Sequence, residues 1–157
     1  ERENSTAPSY ISLVADCSPT LARRWFPCFD EANKKATFQL KVSHPIETTA
    51  YSNTRPLSTM RDGSTQITHF AKTARMPTYV VALAITEQPS IGLNADGFEL
   101  RAVGRTREDL LKTSTEALSI LRNFSVFDQV PFIPEKTDII LVEDYIIGAM
   151  ENPGIIK

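Results

Sequence analysis

Hydrophobic and polar residues alternate through residues 36–44: Phe38, Leu40 and Val42 fall on one face, Gln39, Lys41 and Ser43 on the other. A period of two predicts a half-buried antiparallel strand, ended by Pro45. A second strand is expected over 48–53. Asp62-Gly63 reads as a hairpin turn between strands at 57–61 and 64–72. Residues 79–86 are almost wholly apolar (Val80, Val81, Ala82, Leu83, Ala84, Ile85), which predicts a strand covered on both faces. Asn94-Ala95-Asp96-Gly97 predicts a further turn, followed by a short strand at 98–103.

After Gly104 the period changes. Thr106-Arg107-Glu108-Asp109 fits a capping box, with Thr106 as N-cap and Asp109 three residues on. Leu110, Leu111, Ala117, Leu118, Leu121 and Phe124 follow at helical spacing and predict an amphipathic helix over 107–124, with an ordinary packing face. Pro131 and Pro134 mark a loop, and residues 137–143 read as a strand. The switch from strands to helix-then-strand suggests two domains, 1–104 and 105–157. No internal repeat or low-complexity stretch is visible.

Composition narrows the function classes. The 157 residues are 41% hydrophobic and 23% charged, with a net charge of −2. That balance gives no electrostatic reason to expect nucleic acid or an acidic membrane surface. No apolar run reaches the roughly 18 residues of a membrane span, and the first residues are charged and polar, unlike a secretory leader. Cys17 and Cys28 are expected as buried or free thiols, with one disulfide as the alternative. Asn4 and Asn123 head N-x-S/T triplets, which permit a secreted setting. The chain starts without methionine and stops just after the turn-like Asn152-Pro153-Gly154, so both ends are expected to be cuts in a longer protein.

Four segments carry a family resemblance. They are Ala22-Arg23-Arg24-Trp25-Phe26-Pro27-Cys28-Phe29-Asp30-Glu31, Lys35-Ala36-Thr37-Phe38, Met76-Pro77-Thr78-Tyr79-Val80-Val81-Ala82-Leu83, and Gly148-Ala149-Met150-Glu151-Asn152. In this order and spacing they resemble the aminopeptidase N family of zinc metallopeptidases. The resemblance implies a mainly β fold: the later strands of an antiparallel, saddle-like N-terminal domain, then the first helix and strand of a thermolysin-like α/β catalytic domain. It implies a hydrolase that removes N-terminal residues from peptides.

Within the last segment Glu151 is the residue of interest. A carboxylate forms charge-assisted hydrogen bonds to a free α-ammonium group, and small neighbours let a peptide backbone approach. The resemblance implies that Glu151 binds the amine while Gly148, Ala149, Met150 and Asn152 complete the substrate-binding motif. The alternative is that Glu151 is a solvated turn residue. The family's zinc ligands, His-Glu-x-x-His and a later glutamate, would lie beyond Lys157. His44 and His69 fall in β segments and read as surface or pairing residues. The chain alone is therefore expected to hold no catalytic zinc, no metal ligand and no catalytic residue. Asp30 and Glu31, with Arg23 and Arg24, read as a structural ion-pair and turn network, and Phe26-Pro27-Cys28-Phe29 as core packing.

Three departures from the family pattern stand out. Asp16 and Ser18 occupy positions where members carry a glutamine and an acidic residue lining the pocket of the first substrate residue; Asp16 still offers a carboxylate there. Pro153 replaces a tryptophan, fixing φ and biasing Asn152 toward extended backbone. Ala32 stands where proline is usual. Two readings follow: an active aminopeptidase whose partner is a peptide with a free N-terminus, or an inactive homologue that binds peptides or a protein. A self-contained adhesion-type β domain is a third. Family members include membrane-anchored ectoenzymes and cytosolic enzymes, so the resemblance leaves both compartments open.

Overall fold

A computed structural model describes residues 10–95, 98–127, 135–142 and 148–157. The chain is mainly β. In order it forms β1 (Ser12–Ala15), β2 (Lys41–Pro45), β3 (Thr49–Ser52), β4 (Pro56–Asp62), β5 (Thr65–Phe70), β6 (Leu83–Thr86), β7 (Ser90–Ala95), β8 (Phe98–Val103), α1 (Arg107–Phe127), β9 (Lys136–Ile140), β10 (Glu151–Asn152) and β11 (Ile155–Ile156). Among the described residues they build three sheets: β1-β6-β3, β2-β5-β4 and the five-stranded β10-β11-β9-β8-β7. The first two are antiparallel throughout. In the third, β8, β9 and β11 run parallel.

Most expected elements are present, with instructive shifts. The 36–44 alternation gives a strand only from Lys41. Residues before it run beside 70–76 through isolated bonds, such as Thr73 N to Phe38 O (2.8 Å) and the Ala36–Met76 bridge. The hairpin turn falls one residue later than Asp62-Gly63 suggests. Asp62 pairs with Thr65, so Gly63 takes the first central position, where its φ of +61° is required. The apolar run at 79–86 is not one strand: residues 78–80 form a 3-10 turn and β6 begins at Leu83. The cause is Asn53, whose side chain takes Val80 O and Ala82 N, bonds that a neighbouring strand would otherwise supply. β1, β10 and β11, of two to four residues, are too short to show a period; β7 also lies outside the expected strands, although Ile91, Leu93 and Ala95 alternate with Ser90, Gly92 and Asn94.

Helix α1 starts as the capping box predicts, with Asp109 N donating to Thr106 Oγ1 (3.1 Å), and runs three residues past the expected end. It packs on β7 and β8. Leu110 and Ser114 are buried against them, whereas Leu111, expected on the same stripe, is exposed. Because α1 joins the parallel pair β8 and β9, the change of period at Gly104 falls inside one sheet. Pro131, Pro134, Glu143 and the centre of the Asn94–Gly97 turn lie outside the described residues.

The core spans the sheets. Tyr51, Ala82 and Ala84 from β3 and the β6 region pack with Val103, Ile140 and Ile155 from β8, β9 and β11. Charge crosses the same seam. Lys136 and Asp138, two apart on β9 and so on one face, are both buried. Lys136 Nζ donates to Asp138 Oδ2 (2.6 Å) and to Ser52 O at the end of β3. Arg101 on β8 stands 3.9 Å from Asp138 and over the Tyr51 ring, 5.6 Å from its centroid. Burial pulls Lys136 down and Asp138 up from their ordinary values, and their mutual attraction opposes both shifts.

Asp30 and Arg23 do form a network, through Arg23 N and Nε to Asp30 Oδ2 (3.2 and 3.1 Å). Thr78 Oγ1 adds a bond to Oδ1 (2.8 Å). Burial of Asp30 acts to raise its pKa, but the bonds from Thr78 and Arg23 outweigh it and leave the carboxyl below its usual value. Core packing within 26–29 is confined to Phe26, which meets Phe38 edge-on at 5.8 Å; Phe29 is 79% exposed. Both cysteines are free, and burial pushes the Cys17 thiol up to about 11. His44 is not a surface residue. It is buried, with Nδ1 bonded to Thr48 Oγ1 (2.8 Å) and Nε2 to Thr68 Oγ1 (2.9 Å).

Lys136→Met leaves the Asp138 carboxylate buried without its closest cation and is expected to cost about 3–5 kcal/mol. The double change Lys136→Met/Asp138→Leu is expected to cost less than the single one; denaturant unfolding of the three proteins checks this order. Burial lowers the pKa of His44, so the unfolded chain binds its proton more readily than the fold does. The stability linked to His44 is therefore full above the ordinary imidazole value of about 6.5 and declines as pH falls below it toward the folded value. His44→Gln is expected to flatten that part of the melting-temperature profile between about pH 7 and 5.

Candidate substrate-amine site

Residues 148–157 form a small hairpin on one edge of the five-stranded sheet. Met150 N donates to Lys157 O (2.9 Å) and Lys157 N to Met150 O (3.1 Å). Glu151 then faces Ile156, and Asn152 faces Ile155. β11 lies inside the sheet against β9, so β10 is the edge strand. The residues between them form the turn. Pro153 supplies the fixed φ suited to its first central position, and Gly154, with φ +77°, supplies the left-handed second position of a type II turn. Proline after the motif thus fits the local backbone: Asn152 is extended, as a residue before proline prefers.

Gly154 is required for a second reason. A Cβ there would lie 2.1 Å from Asn53 O, so no side chain fits without moving the backbone. The turn is also bonded on two sides. Asn53 Nδ2 donates to Pro153 O (2.9 Å), and Asp138 N donates to Gly154 O (3.1 Å).

This backbone sorts the motif's side chains. Successive residues on β10 point to opposite faces, so Glu151 is exposed while Asn152 is buried. Asn152 Oδ1 has no partner among the described residues. Met150 packs on the cluster of Met76, Val80 and Val81 that Phe26 and Phe38 also join. Gly148 and Ala149 are exposed. A cavity of about 330 Å³ opens beside them, walled in part by Ile140, Val142, Ile156 and Lys157. An unburied carboxylate on a sheet edge, close in sequence to small exposed residues, suits docking of an extended peptide with a cationic end.

Asp16 comes close to this hairpin, but through a partner that was not foreseen. It follows β1, and its Oδ1 accepts from Ser18 N (3.0 Å) just before the cis Ser18-Pro19 bond. Lys157, at the far end of the hairpin, is buried and donates from Nζ to Ala15 O (2.6 Å). Burial lowers the Lys157 pKa, and the nearby charge of Asp16 opposes that shift. The Asp16 carboxylate therefore has a cationic neighbour within the protein. Asn53 and Lys157 were both missed in the sequence. Asn53 meets Pro153 across 100 positions and Lys157 meets Ala15 across 142, so no local period signals either contact.

Among the described residues no three His, Cys, Asp or Glu side chains gather to hold a metal. His44 spends both ring nitrogens on threonine hydroxyls. The described residues do not fit a catalytic zinc. No helix among the described residues is long and apolar enough to cross a membrane.

Comparison with known proteins places these features in a family. Residues 4–80 match the family described as the Peptidase M1 N-terminal domain. Aminopeptidase Q of Acinonyx jubatus is 36% identical over 155 residues, covering 92% of this chain and 15% of that protein. Aminopeptidase M1-A of Oryza sativa subsp. japonica is 32% identical over 147 residues, covering 91% of this chain and 17% of that protein. Endoplasmic reticulum aminopeptidase 2 of Homo sapiens is 32% identical over 150 residues, covering 93% of this chain and 16% of that protein. The chain thus spans about a sixth of the length of these relatives. With these matches, which cover more than nine tenths of its residues, the chain belongs to the M1, or aminopeptidase N, family of aminopeptidases.

Proposed function

We propose that the parent protein is a zinc-dependent aminopeptidase that removes N-terminal residues from peptides, and that this segment supplies the group that binds the substrate α-amine. The observation that carries the reading is the exposed Glu151 carboxylate on edge strand β10, beside exposed Gly148 and Ala149. In this reading the peptide lies along the β10 edge with its ammonium group at Glu151. Asp16 adds a nearby negative charge, moderated by Lys157. The zinc and its activated water are supplied by residues outside this chain, so the segment alone hydrolyses nothing. Residues 1–104 belong to the N-terminal β domain and 105–157 open the catalytic part.

Replacing Glu151 by Gln keeps its shape and removes its charge. A charge-assisted hydrogen bond contributes about 1.5–3 kcal/mol, so Glu151→Gln in the full-length parent is expected to lower kcat/KM on aminoacyl reporter substrates roughly ten- to a hundredfold. Equal kcat/KM for the variant and the parent would remove Glu151 from this role.

A second reading is favoured by Lys157 beside Asp16, which sets a cation next to a carboxylate expected to meet the substrate amine. Here the parent is an inactive homologue that binds peptides or a protein partner. Chelator-sensitive release of amino acids by the purified parent would rule it out. The third reading, a free-standing β domain ending at Gly104, loses β9 and β11 and with them Ile140 and Ile155 from the main core. A polypeptide of residues 1–104 is accordingly expected to give no cooperative thermal transition by circular dichroism.

A further inference from the structure

Asn53 directly follows β3 and is 6% exposed. Its side chain joins three backbone segments. Oδ1 accepts from Ala82 N (2.9 Å), and Nδ2 donates to Val80 O and to Pro153 O (2.9 Å each). The first two partners lie just ahead of β6; the third belongs to the turn that follows Glu151 and Asn152. The main chain of Asn53 adds a steric stop, because its carbonyl oxygen occupies the space a Cβ on residue 154 would need. Only a side-chain amide offers one acceptor and two donors at this spacing. A carboxylate would set an acceptor against two carbonyl oxygens, and a buried polar group without its partner is costly.

The hairpin needs such an anchor. β10 and β11 are two residues each, and β10 is an edge strand. So short a ladder leaves its turn free to shift unless the turn itself is tied down. The direction of the Glu151 carboxylate follows from that backbone, since Asn152 points inward and Glu151 outward.

We infer that Asn53 is a positioning residue for the substrate amine: held by the β3–β6 sheet, it fixes the Pro153-Gly154 turn and so the place from which Glu151 projects. This inference rests on the proposed role of Glu151. Asn53 itself does not meet the substrate.

The test uses the full-length parent in four forms: unchanged, Asn53→Asp, Glu151→Gln and the double variant. Ser52→Ala serves as a structural comparison, because it removes a buried bond to Ala82 O (2.8 Å) in the same strand and leaves the turn alone. Two quantities are read: KM and kcat on an aminoacyl reporter, and amide hydrogen exchange across residues 148–157. Asn53→Asp is expected to speed exchange in that segment and raise KM about tenfold or more. In the Glu151→Gln background the same change is expected to have little further effect, because the carboxylate it positions is already lost. Ser52→Ala is expected to lower the melting temperature and leave KM unchanged. Should Asn53→Asp fail to fold, Gly154→Ala presses on the same contact from the turn and is read in the same cycle. Unchanged exchange at 148–157 overturns the inference, and so does a KM effect that multiplies fully with that of Glu151→Gln. If Glu151→Gln itself leaves catalysis intact, the proposed function fails instead, and the exchange data still report whether Asn53 holds the turn.

Discussion

Lys136 and Asp138 sit on one face of β9, buried against the end of β3, and the lysine reaches both the aspartate and the Ser52 carbonyl. This contact sets how the β1-β6-β3 sheet meets the five-stranded one. Two charges out of water are stable only when each is bonded on several sides. Arg101 and the Tyr51 ring complete that shell. The apolar residues around them would tolerate sliding, since hydrophobic contact has no direction. The ion pair does not, and it fixes the register in which Tyr51, Ala82, Ile140 and Ile155 come together.

One residue beyond Ser52 lies Asn53, so the same stretch of chain that meets the buried pair also holds the Glu151 hairpin. From Lys136 the path runs through Ser52 and Asn53 to Pro153 and Gly154. The Glu151 carboxylate is presented on an edge strand only two residues long. Its position is borrowed from the core behind it. An exposed carboxylate is thereby held in a defined place: the side chain is solvated, but its backbone is tied to a packed and hydrogen-bonded core.

The fit between proline and the hairpin revises the weight of one departure from the family pattern. In the sequence, Pro153 stands where the family has a tryptophan and biases Asn152 toward extended backbone. In the fold, proline occupies a turn position that needs no N–H, and the extended Asn152 before it is what β10 requires. Asp16 gains importance in the other direction. Its neighbour Lys157 sets a positive charge beside the carboxylate that the sequence offers there.

The sequence by itself determined the elements whose signal is local. The alternation ending at His44, the Asp62-Gly63 hairpin, the Thr106 cap with its helix, and the order of the four family segments all depend on residues within a few positions of one another. The proposed role of Glu151 also comes from the sequence, because a five-residue motif is read without its surroundings. What only the tertiary structure decided are the contacts between distant segments. The 79–86 run is apolar enough for a strand, yet its first part turns, because Asn53 takes its backbone bonds. His44 is buried because Thr48 and Thr68 satisfy both its nitrogens. The cation beside Asp16 comes from the opposite end of the chain. Periodicity records which face of an element is buried, but not what the burying partner is. A polar residue's role is set by that partner, and here most of the partners lie tens of residues or more away, Thr48 beside His44 being near in sequence.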